Sequence, residues 1–225
     1  MKSETNDSLL RRRPIRARNT SWAANIARWL ASTGLTPNQI SVASIAFSAI
    51  GGACLVLTPA IHAPASQAVL FVAAAACIQL RLLCNLFDGM VAVECGLKSK
   101  SGEIYNELPD RISDAVLFAC AGYATTRPWG HDLGWAAAAL AIITAYVRTL
   151  GGQAGTTQQF CGPMAKQQRM FTLTLACLFA GVEVMLGLPP RAIFVALTVV
   201  IAGCVITIAR RTHRIVRELE QPPIQ

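Results

Sequence analysis

The chain has 225 residues, of which 53% are hydrophobic and only 14% charged. A soluble domain carries roughly a quarter charged residues, so an ordinary water-soluble protein is excluded, and apolar runs of about 20 residues point to membrane-spanning helices. The chain is nevertheless basic, with 20 Lys+Arg against 12 Asp+Glu and a formal net charge of +8, so its few charges must sit in particular places.

The first nineteen residues are polar, with six basic side chains against two acidic ones. They read as a basic cytoplasmic tail over 1–20 and not as a signal peptide. The stretch 11–18 either attracts anionic lipid or is a disordered topogenic segment. Trp22, Ile26, Trp29 and Leu30 then recur at helical spacing. They predict an amphipathic helix over 21–34 lying on the membrane interface. Thr36-Pro37-Asn38-Gln39 reads as a helix start, with Thr as cap, Pro first and Gln three after the cap.

Six spans follow, over about 38–59, 64–93, 106–126, 133–150, 170–188 and 191–209. The expected fold is an all-α integral membrane protein. Six transmembrane helices, preceded by the cytoplasmic interfacial helix, form a membrane domain over 35–212, and 213–225 make a second cytoplasmic tail. Fifteen basic residues fall in the two tails, the interfacial helix, the 94–105 and 151–169 loops and just after the last span, against only Arg127 and Arg191 on the other side. The positive-inside rule then places both termini in the cytoplasm. The eight cysteines contain no CxxC pair and read as small buried hydrophobes. His62 and His131 fall on the outer side and His213 in a basic tail, and none is a candidate ligand.

The acids are more telling than the bases. Asp88, Glu94, Glu103, Glu107, Asp110 and Asp114, half of the twelve, fall within 88–114. Carboxylates at the ends of spans are costly, so function is the first hypothesis for them. Asn85 and Asp88 are one helical turn apart, while Asn106, Asp110 and Asp114 share a face, as do Glu107, Asp110 and Asp114. Two neighbouring helix ends would thus present oxygen ligands to one cavity. Oxygen donors without clustered His or Cys suit hard cations such as Mg2+, Mn2+ or Ca2+. Gly89 and Ala92 leave room for a ligand to approach the backbone. The same spacing also permits a capping reading, with Asn106 and Glu107 at a helix start and Asp114 paired with Arg111 or Arg81.

Asp88-Gly89-x-x-Ala92, a Gly102 separated from Val93 by eight residues, and then Asp110 resemble the signature of the CDP-alcohol phosphatidyltransferases, D-x-x-D-G-x-x-A-R, eight residues, then G-x-x-x-D-x-x-x-D. The likeness extends to the six-span layout, the Thr-Pro-Asn start of span one and the Gly162-Pro163-x-x-Lys166-x-x-Arg169 loop, over roughly residues 20–210. Asn85, Asn106 and Val93 stand where the pattern has Asp, Asp and Arg, as in a variant branch. Glu94, Glu107 and Asp114 lie near enough in sequence to restore charge.

The resemblance implies transfer of a substituted phosphate from a CDP-linked donor, usually CDP-diacylglycerol, to an acceptor alcohol with release of CMP. It implies Mg2+ or Mn2+, two ions in all, held by Asn85, Asp88, Asn106, Asp110 and Asp114. Asp110 matches the proposed general base, and Asp114 is a candidate added ligand or relocated base. Gly89, Ala92 and Gly102 would border the donor, and Arg148, Lys166 and Arg169 would hold a phosphate or else serve as topogenic charge. The implied location is the cytoplasmic face of a bacterial inner membrane. The implied partners are the CDP-alcohol, the acceptor and membrane lipids, with no nucleic acid; homodimers are common in the family. Two other readings stay open: a relative that binds CDP-lipid or a partner without turnover, and a small channel or transporter.

Overall fold

A computed structural model describes residues 20–94, 96–97 and 101–220. The basic stretch 1–19, Lys98, Lys100 and the last five residues lie outside the described residues, and with them nearly all of the first predicted tail and the end of the second. Seven α-helices account for nearly all of the rest: α1 Ser21–Ser32, α2 Pro37–Leu57, α3 Pro64–Glu94, α4 Gly102–Tyr123, α5 Gly130–Gln153, α6 Lys166–Met185 and α7 Arg191–Leu219. A short 3-10 turn, Thr58–Ala60, follows α2.

Helix α2 starts as its sequence dictates. The Thr36 hydroxyl accepts from the Gln39 N–H at 3.3 Å and the Gln39 side chain accepts from the Thr36 N–H at 2.9 Å, a reciprocal capping box with Pro37 in the first turn. Its buried face is small: Ser41, Ser44, Ser48, Gly51 and Gly52. The Ser44 and Ser48 hydroxyls donate to carbonyls of their own helix, at 2.6 and 2.9 Å, so they are satisfied without water. Small residues let helix backbones approach where lipid offers no hydrophobic drive, and α2 packs on both α3 and α4.

Other main pairs are α3 with α6, α4 with α5, and α7 with α5 and α6. Their shared core includes Leu55, Phe71, Ile78, Leu117, Phe118, Met170, Leu173, Ile193 and Leu197. At one end a second cluster forms under α1, where Ala23 and Ala27 pack against Phe87, Met90 and Val91 of α3. Helix α1 leaves Trp22, Ile26 and Trp29 exposed, with the Trp22 ring edge-on to Phe87.

The α4–α5 crossing depends on two glycines. A Cβ on Gly134 would lie 2.7 Å from the Gly122 Cα and 2.8 Å from the Phe118 carbonyl oxygen, both backbone atoms that cannot swing away. Gly134→Ala is therefore expected to destabilise the protein by about 1–3 kcal/mol through overpacking. Gly152→Ala meets nothing closer than 3.5 Å and should be neutral or slightly stabilising, because Ala is the better helix former. Thermal unfolding of the two variants in one detergent checks the contrast.

Among the described residues, five helices are long and apolar enough to cross a membrane: Pro37–Ala60, Pro64–Val93, Gly130–Gln153, Lys166–Met185 and Arg191–Leu219. With these apolar helices, the chain is a membrane protein. Helix α4 is the exception among the six predicted spans. It has 22 residues, but Glu103, Glu107, Asp110, Arg111 and Asp114 all fall between its start and Asp114. It also begins at Gly102, earlier than the predicted 106, and α7 runs on to Leu219, through the start of the predicted tail.

Candidate active site

The C-terminal part of α3 and the N-terminal part of α4 carry the acids, and the fold brings them to one wall of a cavity of about 630 Å³. Asn85, Asp88, Gly89 and Ala92 come from α3, and Gly102, Asn106, Glu107 and Asp110 from α4. The facing wall holds Arg148 of α5, Lys166 and Arg169 of α6, and Arg211 of α7. Eleven of the candidate residues, together with Arg211, thus meet around one space, from positions up to 126 residues apart. Glu94 has no described side chain, and Glu103 lines the same cavity as an exposed residue.

Asp88 is 3% exposed. Its Oδ2 accepts a 2.5 Å hydrogen bond from the Ser41 hydroxyl of α2, and its Oδ1 is buried with no partner among the described residues. A buried carboxylate oxygen without a donor is costly, and such a group calls for a bound cation or hydrogen-bond donor. Asn85, one turn earlier, likewise has a buried, unpartnered amide nitrogen. Asp110 pairs its Oδ2 with the Lys166 ammonium, while its Oδ1 has a long 3.5 Å contact with Arg81.

Asp114 stands apart from these ligand candidates. It is 1% exposed and is not part of the cavity wall. Both of its oxygens are committed, Oδ1 to Arg81 and Oδ2 to Arg169, each at 2.6 Å. The arginines are buried too, at 0% and 2%. Arg81 also donates to the Asp110 carbonyl at 3.2 Å, and Arg169 to the Thr144 hydroxyl at 2.8 Å and the Met164 carbonyl at 3.1 Å. Asp114 therefore ties α3, α4 and α6 together beneath the cavity, and through Arg81 it fixes the backbone at Asp110. Of the two partners the capping reading offered Asp114, Arg81 is the one present, and Arg169 joins it.

Arg111 instead binds Glu107, which accepts from Arg111 and Arg148, each at 2.6 Å. Arg148 also lies over the Phe160 ring, 5.5 Å from its centroid. The loop 154–165 that carries Phe160 is held to α7. Arg211 Nε donates to the Cys161 carbonyl at 3.0 Å, and the Thr207 hydroxyl accepts from the Met164 N–H at 3.0 Å. Gly162, at φ +116°, turns the chain close over Thr207, where a Cβ would lie 2.5 Å from the threonine methyl.

Several participants did not stand out in the sequence as site residues: Ser41, Arg81, Phe160 and Arg211. Arg81 carried a signal, since it is the one charge in an apolar run and lies two helical turns before Asp88. Ser41, a serine among serines, carried none.

The donor set fits a hard divalent cation, because it offers only oxygens and includes the unpartnered Asp88 Oδ1. Among the described residues no three His, Cys, Asp or Glu side chains group closely enough to hold a metal by themselves, so Asn85 and Asn106 would have to contribute their amide oxygens.

Comparison with known proteins sets this arrangement in context. Inner membrane protein YnbA of Escherichia coli K12 is 36% identical over 90 residues, 40% of this chain and 41% of that protein, so the match spans under half the length of that relative. Phosphatidylinositol phosphate synthase of Corynebacterium glutamicum is 26% identical over 191 residues, covering 83% of this chain and 80% of that protein. Two solved structures of phosphatidylinositol phosphate synthase (PgsA1) from Mycobacterium tuberculosis share the fold. The one with manganese and citrate has a TM-score of 0.71 at 21% identity, covering 90% of this chain and 93% of that one. The one with CDP-DAG bound has a TM-score of 0.70 at 20% identity, covering 90% and 98%. The sequence model of the CDP-alcohol phosphatidyltransferases matches residues 34–209, and the chain belongs to that family.

Proposed function

We propose that this chain transfers a substituted phosphate from a CDP-linked donor, CDP-diacylglycerol first among them, to an acceptor alcohol and releases CMP. The observation that carries the reading is the buried Asp88 carboxylate on the cavity wall, with one oxygen unpartnered, facing a rim of cationic side chains. The structural relative with CDP-DAG bound and the one with manganese support the choice of donor and of a divalent ion. Mg2+ or Mn2+, held by Asp88 and Asp110 with Asn85 and Asn106, would neutralise the donor pyrophosphate and stabilise CMP as leaving group.

The chain's own residues supply the rest. Arg148, Lys166 and Arg169 bring positive charge to the facing wall and orient phosphate oxygens. Gly89, Ala92 and Gly102 leave a shallow wall where the nucleotide can lie against backbone. Asp110 accepts the proton of the acceptor hydroxyl as its oxygen bonds to phosphorus and the phosphorus–oxygen bond to CMP breaks. With Oδ2 held by Lys166, Oδ1 is the oxygen left for that proton. Asp114 is a positioning residue in this scheme and coordinates nothing.

We also read α4 as a sixth span. Its 22 residues measure about 33 Å, and Glu107, Asp110, Arg111 and Asp114 are paired internally rather than turned to lipid. The cavity then opens at the cytoplasmic face of a bacterial inner membrane. Helix α1 lies on that face with its tryptophans at headgroup level.

Purified protein in nanodiscs, given CDP-diacylglycerol, Mg2+ or Mn2+ and a panel of alcohols, is expected to release CMP only when metal and a suitable acceptor are both present. Tight binding of CDP-diacylglycerol with no CMP from any acceptor would favour the non-catalytic relative.

A further inference from the structure

We infer that the site of this chain holds one divalent ion, and that the Lys166 ammonium seated on Asp110 supplies the positive charge a second ion would bring. The inference rests on the metal-dependent reading above and concerns what this chain's own residues make of it.

The charge on the cavity wall sets the limit. Its anionic side chains are Asp88, Glu103, Glu107 and Asp110, and its cationic ones are Arg111, Arg148, Lys166, Arg169 and Arg211. Both Glu107 oxygens are already occupied by arginines. Glu103 is exposed on the first turn of α4. Asp114 lies below the wall with both oxygens on arginines. Among the described side chains that leaves Asp88 and Asp110, and one Asp110 oxygen is on Lys166.

Two carboxylates balance one divalent ion. A second would bring two more positive charges to a wall where cations already outnumber anions, with Asn85 and Asn106 offering neutral amide oxygens as the added ligands. Such oxygens are weaker partners for a hard cation than carboxylates, so nothing here compensates the second ion. The ammonium of Lys166 does compensate Asp110. Asn85 fits the same account, since burying an unpartnered amide is far less costly than burying a second unpaired carboxylate.

Titration of the full chain in detergent with Mn2+ alone, followed by electron paramagnetic resonance and equilibrium dialysis, tests the inference without reference to turnover. One Mn2+ per chain is expected, with a six-line spectrum free of exchange coupling. The Asn85→Asp/Asn106→Asp variant is expected to bind two, with the coupled spectrum of ions about 4 Å apart. Lys166→Gln, which frees the Asp110 oxygen, should tighten the single site about tenfold. Should the double variant fail to fold, the wild-type stoichiometry and Lys166→Gln still decide. Two coupled Mn2+ ions on the wild-type chain overturn the inference and leave metal-dependent transfer standing. No Mn2+ binding at any concentration overturns both.

Discussion

Asp88→Ala is expected to lower CMP release about a thousandfold and to abolish Mn2+ binding, while the protein melts at the same temperature or higher. The three results come from one feature. Asp88 is buried with Oδ1 unpartnered, so in the metal-free protein it costs stability instead of contributing it. Removing it relieves that cost and leaves only the Ser41 hydroxyl, its partner through Oδ2, to find another acceptor. Helix α2 offers one, because Ser41 also lies 3.2 Å from the Pro37 carbonyl. Activity and melting temperature measured on the same preparation separate this from a misfolded variant. Lost activity accompanied by a large fall in melting temperature would make Asp88 a structural residue.

Asp114→Ala is expected to behave in the opposite way. It leaves the buried Arg81 and Arg169 without their carboxylate, and breaking a buried ion pair from one side typically costs about 3–5 kcal/mol. Activity falls with it, because Arg81 loses the partner that holds it against the Asp110 carbonyl. The folded fraction nevertheless retains its Mn2+, since Asp114 contributes nothing to the cavity wall. Denaturant titration together with Mn2+ binding checks both halves. A variant of wild-type stability with no Mn2+ binding would return Asp114 to the ligand set.

That reversal shows what the sequence could carry. Residue spacing along single helices brought Asn85 next to Asp88, and Asn106 and Asp110 onto one face, and all four line the cavity. Spacing also put Asp114 on that face, but depth along the helix decides its role. One turn further into the bundle, the neighbours are Arg81 and Arg169, which come from helices that local periodicity cannot place. Helix ends were legible where a residue type enforces them, as with Thr36, Pro37 and Gln39. They were less so at α4, whose charged first turns hid a start at Gly102. The chain's positive charge had looked chiefly topogenic. Five of its cationic residues prove to line the cavity, and a sixth, Arg81, holds Asp110 and Asp114 from behind.

The most direct measurement is the mass balance of the reaction. Purified protein in nanodiscs with CDP-diacylglycerol, Mn2+ and an accepted alcohol should form one new lipid phosphodiester for each CMP released, and neither product should form with Asp88→Ala. CMP without a new phosphodiester would mean hydrolysis, and equal yields from Asp88→Ala would mean that the chemistry lies elsewhere. Either result would contradict the transfer reaction and the site described for it.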